Sequence, residues 1–288
     1  MPEATDTIDV ACFGGAHVDL IAQAHGPLVM ATSNPGTVQT KPGGVALNVA
    51  LALNDLGRRV ALVGAVGADG EGDWIKSALS ACGIDTSQLQ QSTEFPTGRY
   101  VAVEGIDGEL SVAVSDTAAL DHLEAPRIDA SLQALTGVAY WFADCNLPAP
   151  LLQRIARHAN RPKLAIDAVS VAKSAKLSNL LGDIDVLCCN IAEAAAIVGR
   201  PLCSVLDAVN ALADAGVPSC VVTNGADPVG IHDGAGCLEI AVPDVTVSSV
   251  TGAGDTLVAA SIDALLAGAD LAEAVTKGID FAGRKLSS

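Results

Sequence analysis

Thr251-Gly252-Ala253-Gly254-Asp255 is the stretch whose reading decides the fold. The β-branched run Val245-Thr246-Val247 precedes it, and an apolar helical pattern over 255–267 follows. Strand, glycine turn and helix in that order belong to a layered α/β protein. Glycines at a helix start let the backbone approach a ligand closely. The first-turn N–H groups lack intrahelical partners and point outward with the positive end of the dipole. The result is an anion site made of backbone, suited to charge on a transferring phosphoryl group. Asp255 falls in the first turn beside that anion, placed to act as general base toward an attacking hydroxyl. An ordinary helix start with a favourable first-turn acid has the same spacing, so both readings stand at this level.

Working outward, short apolar runs alternate with helical patterns. Strands are expected at 8–13, 60–66, 138–143, 163–166, 186–189, 220–223 and 236–241. Helices are expected at 45–56, 74–81, 150–159, 191–198, 205–215 and 255–267, and Gly57, Gly83, Gly199, Gly216 and Gly268 stand where C-caps fall. No linker or repeat interrupts this rhythm, so one α/β domain over 1–288 is expected. Two segments depart from it. Residues 19–40 lack a helical period and contain the turn cluster Ser33-Asn34-Pro35-Gly36. Within 97–116, runs at 99–103 and 109–114 flank Ile106-Asp107-Gly108, a hairpin signal. Extra strands of this kind form a small sheet standing off the main one, as a lid, a surface decoration or a dimer contact.

Half of the 288 residues are hydrophobic, enough for a sizeable core, while aromatics are only 3%. The formal net charge of −17 opposes nucleic acid and anionic membrane as partners. The first nine residues carry Glu3, Asp6 and Asp9 and lack the basic-then-apolar order of a signal peptide. The eight cysteines form no C-x-x-C pair, which suits reduced, buried thiols and a cytoplasmic protein.

Lys41-Pro42-Gly43-Gly44-Val45-Ala46-Leu47-Asn48 is a second glycine-led helix start. Gly43 and Gly44 can bring backbone to a ligand, Asn48 projects one turn in, and Asp19 follows the first strand. Carboxylate and amide together hold vicinal hydroxyls, the needs of a sugar; turn glycines and caps are the plainer reading of each alone. Asn190 and Glu193 can hold the water shell of Mg²⁺ or serve as a capping pair. Thr223-Asn224-Gly225 ends another strand and can meet a nucleotide. Gly64-x-x-Gly67-x-x-Gly70 has the wrong order for a dinucleotide fingerprint, and neither a Walker A nor a Gly-x-Ser-x-Gly sequence is present.

The order Asp19, Gly43-Gly44-x-x-x-Asn48, Asn190-x-x-Glu193, Thr223-x-Gly225 and Gly252-Ala253-Gly254-Asp255 resembles the ribokinase-like (PfkB) sugar and nucleoside kinases. The resemblance spans nearly the whole chain. Within that family, Ser33-Asn34-Pro35-Gly36, Ala143-Asp144-Cys145-Asn146 and residues 167–173 resemble the pseudouridine kinases. The resemblance implies a three-layer α/β/α domain with a mostly parallel sheet and a β lid that commonly pairs with a second subunit. It implies ATP, Mg²⁺ and transfer of the γ-phosphoryl group to a ribose 5′-hydroxyl. Asp255 would be the base, with Gly252, Ala253 and Gly254 as anion hole. Asp19, Gly43, Gly44, Asn48, Asn146 and Asp167 would hold the nucleoside. Asn190, Thr223, Gly225 and Lys173 would meet the nucleotide, and Asn190 with Glu193 would hold the metal through water. Other acceptors of the family (ribose, inosine, adenosine) and a non-catalytic nucleoside-binding protein are the alternatives. Three positions depart from the family pattern. His17 stands where Asn is usual, and Pro228 stands in the nucleotide loop. Ser249 replaces an Asp that elsewhere serves a monovalent cation.

Overall fold

The computed structural model describes residues 7–243 and 252–286. The run 245–247, Ser249 and Thr251, all used in the sequence reading, lie outside the described residues. In chain order the elements begin β1 (Val10–Phe13), β2 (His17–Ala24), β3 (Gly36–Gly43), α1 (Val45–Asp55), β4 (Val60–Gly67), α2 (Gly70–Ala81) and β5 (Leu89–Ser92). They continue β6 (Arg99–Glu104), β7 (Leu110–Asp116), α3 (Ala118–Asp121), α4 (Ala125–Ala134), β8 (Tyr140–Asp144), α5 (Ala149–Ala156), β9 (Lys163–Asp167) and α6 (Val171–Ser174). The last are β10 (Val186–Asn190), α7 (Ile191–Val198), α8 (Val205–Asp214), β11 (Cys220–Thr223), β12 (Val229–His232), β13 (Cys237–Ile240), α9 (Ala253–Leu266) and α10 (Leu271–Leu286).

Nine strands form the main sheet in the order β13-β12-β11-β10-β9-β8-β1-β4-β5. All neighbours are parallel except β11–β12 and β12–β13. β1 and β4 are buried throughout, as expected of strands covered on both faces. Alternate residues enter two separate cores. Ala11, Phe13 and Trp141 pack with α4, α5 and α8; Val10, Cys12 and Phe142 pack with α1, α9 and α10. The five cap glycines all take positive φ, between 71° and 92°.

The second sheet has four strands in the order β3-β2-β6-β7. Residues 19–40 lie within its β2–β3 hairpin, whose loop is closed by Asn34 bonding both Val29 N and O, at 2.8 and 3.0 Å. The β6–β7 turn is pinned by Gly108, at φ 80°, with its N–H 3.0 Å from Gly105 O. Register puts Asp19 and Tyr100 on one face, and Ala22, Val101, Val103, Val112 and Val114 on the other.

The edge strand β5, the strand β12 between β11 and β13, and the helices α4 and α10 were not expected from sequence. Leu-Gln-Gln-Ser has no apolar run, because an edge strand buries one side only. β12 is four residues long behind Pro228. Helix α2 begins earlier than expected, at Gly70, because Asp69 caps it by accepting from Gly72 N at 2.9 Å.

Candidate active site

Parallel strands of an open sheet present their carboxyl ends to one crevice. Here Asp144 ends β8, Asp167 ends β9, Asn190 ends β10 and Thr223 ends β11. Asp144 pairs with Asp167, and Asn190 with Thr223, so the sequence-distant polar ends form one row.

One side of the crevice is a cradle around Asp19, which is buried on β2. A Cβ on Gly43 would lie 2.2 Å from the Asp19 carboxylate, and one on Gly44 (φ 111°) would lie 2.3 Å from Gly15 O. Glycine is therefore required at both places by close approach rather than by turn formation alone. Asp19 Oδ1 is buried and accepts no hydrogen bond among the described residues. His17 Nε2 lies 3.1 Å from it without hydrogen-bond alignment. A buried, unpartnered carboxylate oxygen is costly unless a ligand satisfies it, which fits a hydroxyl-bearing substrate. Asn146, buried after β8, accepts from Lys173 Nζ at 2.5 Å, so Lys173 stands with the cradle residue Asn146.

Helix α9 opens at Gly252, in the left-handed region at φ 84°, and carries Asp255 in its first turn. Asn48, one turn into α1, donates from Nδ2 to Asp255 Oδ2 at 2.7 Å. Burial, with Asp144 and Asp19 acting the same way and the Asn48 bond and Lys41 opposing, brings Asp255 up to about 6. A base in that range sits near neutral pH, where proton transfer is most effective.

Asp255, Gly254, Asp167, Glu193, Asn190 and Thr223 line a cleft of about 170 Å³. Burial holds Asp167 well above the usual carboxylate range, reinforced by Asp255 and Glu193; burial also raises Glu193. No lysine or arginine is among the described residues lining the cleft. Hard oxygen donors with mutually repelling charges fit a hydrated divalent cation. Among the described residues no three His, Cys, Asp or Glu side chains form a direct metal cluster. A metal here would be held through water and phosphate oxygens. Asn190 and Glu193 form a full capping box, with Asn190 N to Glu193 Oε2 and Glu193 N to Asn190 Oδ1 both at 2.9 Å. The capping reading of that pair is realised, with the Glu193 carboxylate still lining the cleft. Gly225 follows β11 at φ 60°, and its loop is tied by Asn224 Nδ2 to Asp227 Oδ2 at 2.7 Å.

Two site features were not read from sequence. Val169, also lining the cleft, has φ 66°, and Ser170 N bonds Ala168 O at 2.7 Å across it. A β-branched residue at the centre of such a γ-turn is strained, which is common at functional sites. Asp144 is the other; an acid ending the apolar run Tyr-Trp-Phe-Ala was the available signal.

Comparison with known proteins identifies the family and the fold. The pfkB family carbohydrate kinase profile matches residues 7–287. Pseudouridine kinase of Escherichia coli is 29% identical over 92% of this chain and 86% of its own length. Guanosine-inosine kinase of Exiguobacterium acetylicum is 27% identical over 97% of this chain and 94% of its own. A carbohydrate kinase structure from Agrobacterium tumefaciens is 30% identical, with TM-score 0.84, covering 98% of this chain and 92% of that one. A ribokinase from Thermotoga maritima, at 19% identity, shares the fold with TM-score 0.86 over 98% of this chain and 94% of its own.

Proposed function

The chain belongs to the pfkB family of carbohydrate kinases, phosphotransferases that act on hydroxyl groups, and we propose that its acceptor is the 5′-hydroxyl of pseudouridine and its donor ATP. The observation that carries this reading is the position of Asp255. It stands at the mouth of α9, between the Asp19 cradle and the carboxylate-lined cleft. In this reading Asp19 and the Gly43-Gly44 backbone hold the ribose diol. Asp255 takes the proton from the 5′-hydroxyl as the hydroxyl oxygen attacks the γ-phosphorus, and the bond from that phosphorus to the bridging oxygen breaks, releasing ADP. The first-turn amides of Gly252, Ala253 and Gly254 meet the charge on the transferring group. Asn190, Thr223 and Gly225 would border the nucleotide, and Glu193 with Asn190 would hold Mg²⁺ through water, which would supply charge neutralisation on the phosphates. Phosphoryl transfer needs chiefly positioning and electrostatics, and these groups supply both.

The choice of pseudouridine draws support from the Escherichia coli relative and from Asn146 beside Lys173. An ammonium and a carboxamide side by side offer donors to carbonyl oxygens of a uracil ring. The second sheet acts as a lid in this reading. Its outward face leaves Val38, Val101, Val112 and Val114 at least 40% exposed, a surface that a second copy of the chain would cover. Among the described residues no helix is long and apolar enough to cross a membrane, and we place the enzyme in the cytoplasm as a homodimer. Ser249 in place of Asp argues against a monovalent-cation requirement.

A coupled ADP-release assay with pseudouridine, uridine, ribose, inosine and adenosine tests the acceptor. Pseudouridine should give the highest kcat/KM. Equal or better turnover of another member overturns the substrate assignment, and tight nucleoside binding without ADP release from any of them overturns the catalytic reading.

A further inference from the structure

Asp144 has no role in the reaction as described so far, yet it is the most completely enclosed acid near the site, with no exposed surface. Its Oδ2 accepts from Gly15 N at 3.0 Å and from Ala46 N at 2.8 Å, and its Oδ1 accepts from Asn146 N at 2.9 Å. Each donor belongs to a different part of the cradle. Gly15 leads into the strand that carries Asp19. Ala46 lies in the first turn of α1, between Gly44 and Asn48. Asn146 is the buried amide beside Lys173. The space around the carboxylate is closed: a Cβ on Gly14 (φ 153°) would lie 2.3 Å from its carboxyl carbon. Leu47 N also reaches Gly15 O, at 3.3 Å, tying the same two segments again.

We propose that Asp144 is a positioning residue: one carboxylate holds the Asp19 loop, the Gly43-Gly44-Asn48 turn and Asn146 together, so that the acceptor hydroxyl arrives at the oxygen of Asp255 presented by Asn48. This rests on the kinase reading above and adds the residue that sets the geometry of its acceptor half. Burying a carboxylate is costly unless its lone pairs are used, and three amides use them here. An apolar replacement would leave three buried N–H groups unpaired, each on a segment that must not move. Asp144 also raises Asp255 through space. The charged groups facing Asp255 are Asp144, Asp19 and Lys41, with Asp167 across the cleft.

Asp144→Asn tests it, since the amide keeps the size but turns one acceptor toward a donor. The nucleoside KM should rise about 10-fold and kcat fall about 10- to 100-fold, with the KM for ATP unchanged. The acid limb of kcat/KM should move to lower pH. A loss confined to melting temperature or yield, with wild-type KM, kcat and pH limb, overturns the proposal. Gly14→Ala should reproduce the defect by displacing the carboxylate, and the double variant should be less than additive; full additivity overturns it. Should Asp144→Asn fail to fold, hydrogen exchange on the wild-type chain decides. The Gly15, Ala46 and Asn146 amides should be protected together, and exchange at the rate of exposed loop amides overturns the proposal. Exchange needs no turnover, so an inactive chain with these amides protected contradicts the kinase reading alone.

Discussion

Asn48 Nδ2 and Asp255 Oδ2 are 2.7 Å apart, a bond between the first turns of α1 and α9. It joins the helix that follows Gly43 and Gly44 to the helix that opens at Gly252. It occupies one oxygen of the Asp255 carboxylate and leaves the other to the proposed acceptor hydroxyl. Two further contacts tie the turn after α1 to α9, Arg58 Nε to Asp263 Oδ1 at 2.6 Å and Arg58 Nη2 to Asp263 O at 3.3 Å.

Asn48→Ala removes a hydrogen bond to the charged form of Asp255, so the carboxyl titrates higher. The acid limb of kcat/KM should move up in pH, and kcat should fall about 10- to 100-fold. A pH–rate profile measures both, and an unmoved limb would show that Asn48 does not tune the base.

Asp255→Asn should lower kcat by about three orders of magnitude or more while nucleoside affinity by calorimetry stays within a few-fold. The same variant should be more stable near pH 7. Folded Asp255 sits at about 6 against its ordinary 3.8, so the native state holds the proton longer than the unfolded chain. Wild-type stability therefore declines as pH rises from about 4 to 6, by about 2–3 kcal/mol. Thermal melts of the two proteins should coincide below about pH 4, draw apart between about pH 4 and 6, and stay apart above that.

Asp19→Ala should act mainly on binding. Removing the carboxylate that faces the ribose hydroxyls should raise the nucleoside KM about 10- to 100-fold, because a charged hydrogen bond contributes ~1.5–3 kcal/mol. A KM that stays put would contradict the ribose assignment.

Glu193 offers a separation of cap from charge. Glu193→Gln keeps an acceptor for Asn190 N and should leave the melting temperature near wild type while raising the Mg²⁺ needed for half-maximal rate. Glu193→Ala should lose the cap as well, about 1 kcal/mol. Equal Mg²⁺ titrations for wild type and Glu193→Gln would remove Glu193 from the metal site.

Much of the frame was legible because it rests on local physics. Cys220–Thr223 and Ile191–Val198 form where apolar runs and caps place them. α10 carries a helical period in Leu271, Ala274, Val275, Ile279 and Ala282, but its many polar residues obscure it until α9 supplies the apolar partner. β5 is illegible for a different reason: Leu-Gln-Gln-Ser becomes a strand because β4 offers it an edge. In the site, glycines and the first-turn Asp255 announce themselves, since close approach and helix starts restrict residue type. Asp144 and Val169 do not, because a buried acid and a left-handed valine owe their states to segments far away in sequence.

Most strands of the main sheet, the glycine-led helix starts and the acid in the first turn of α9 were legible in sequence, since each depends on neighbours a few residues away. Tertiary structure decided which polar ends share a crevice, that Asn190 and Glu193 cap one another, and that Asn48 serves Asp255. Those outcomes depend on residues as much as 207 positions apart being brought within bonding distance, and only the packed sheet does that.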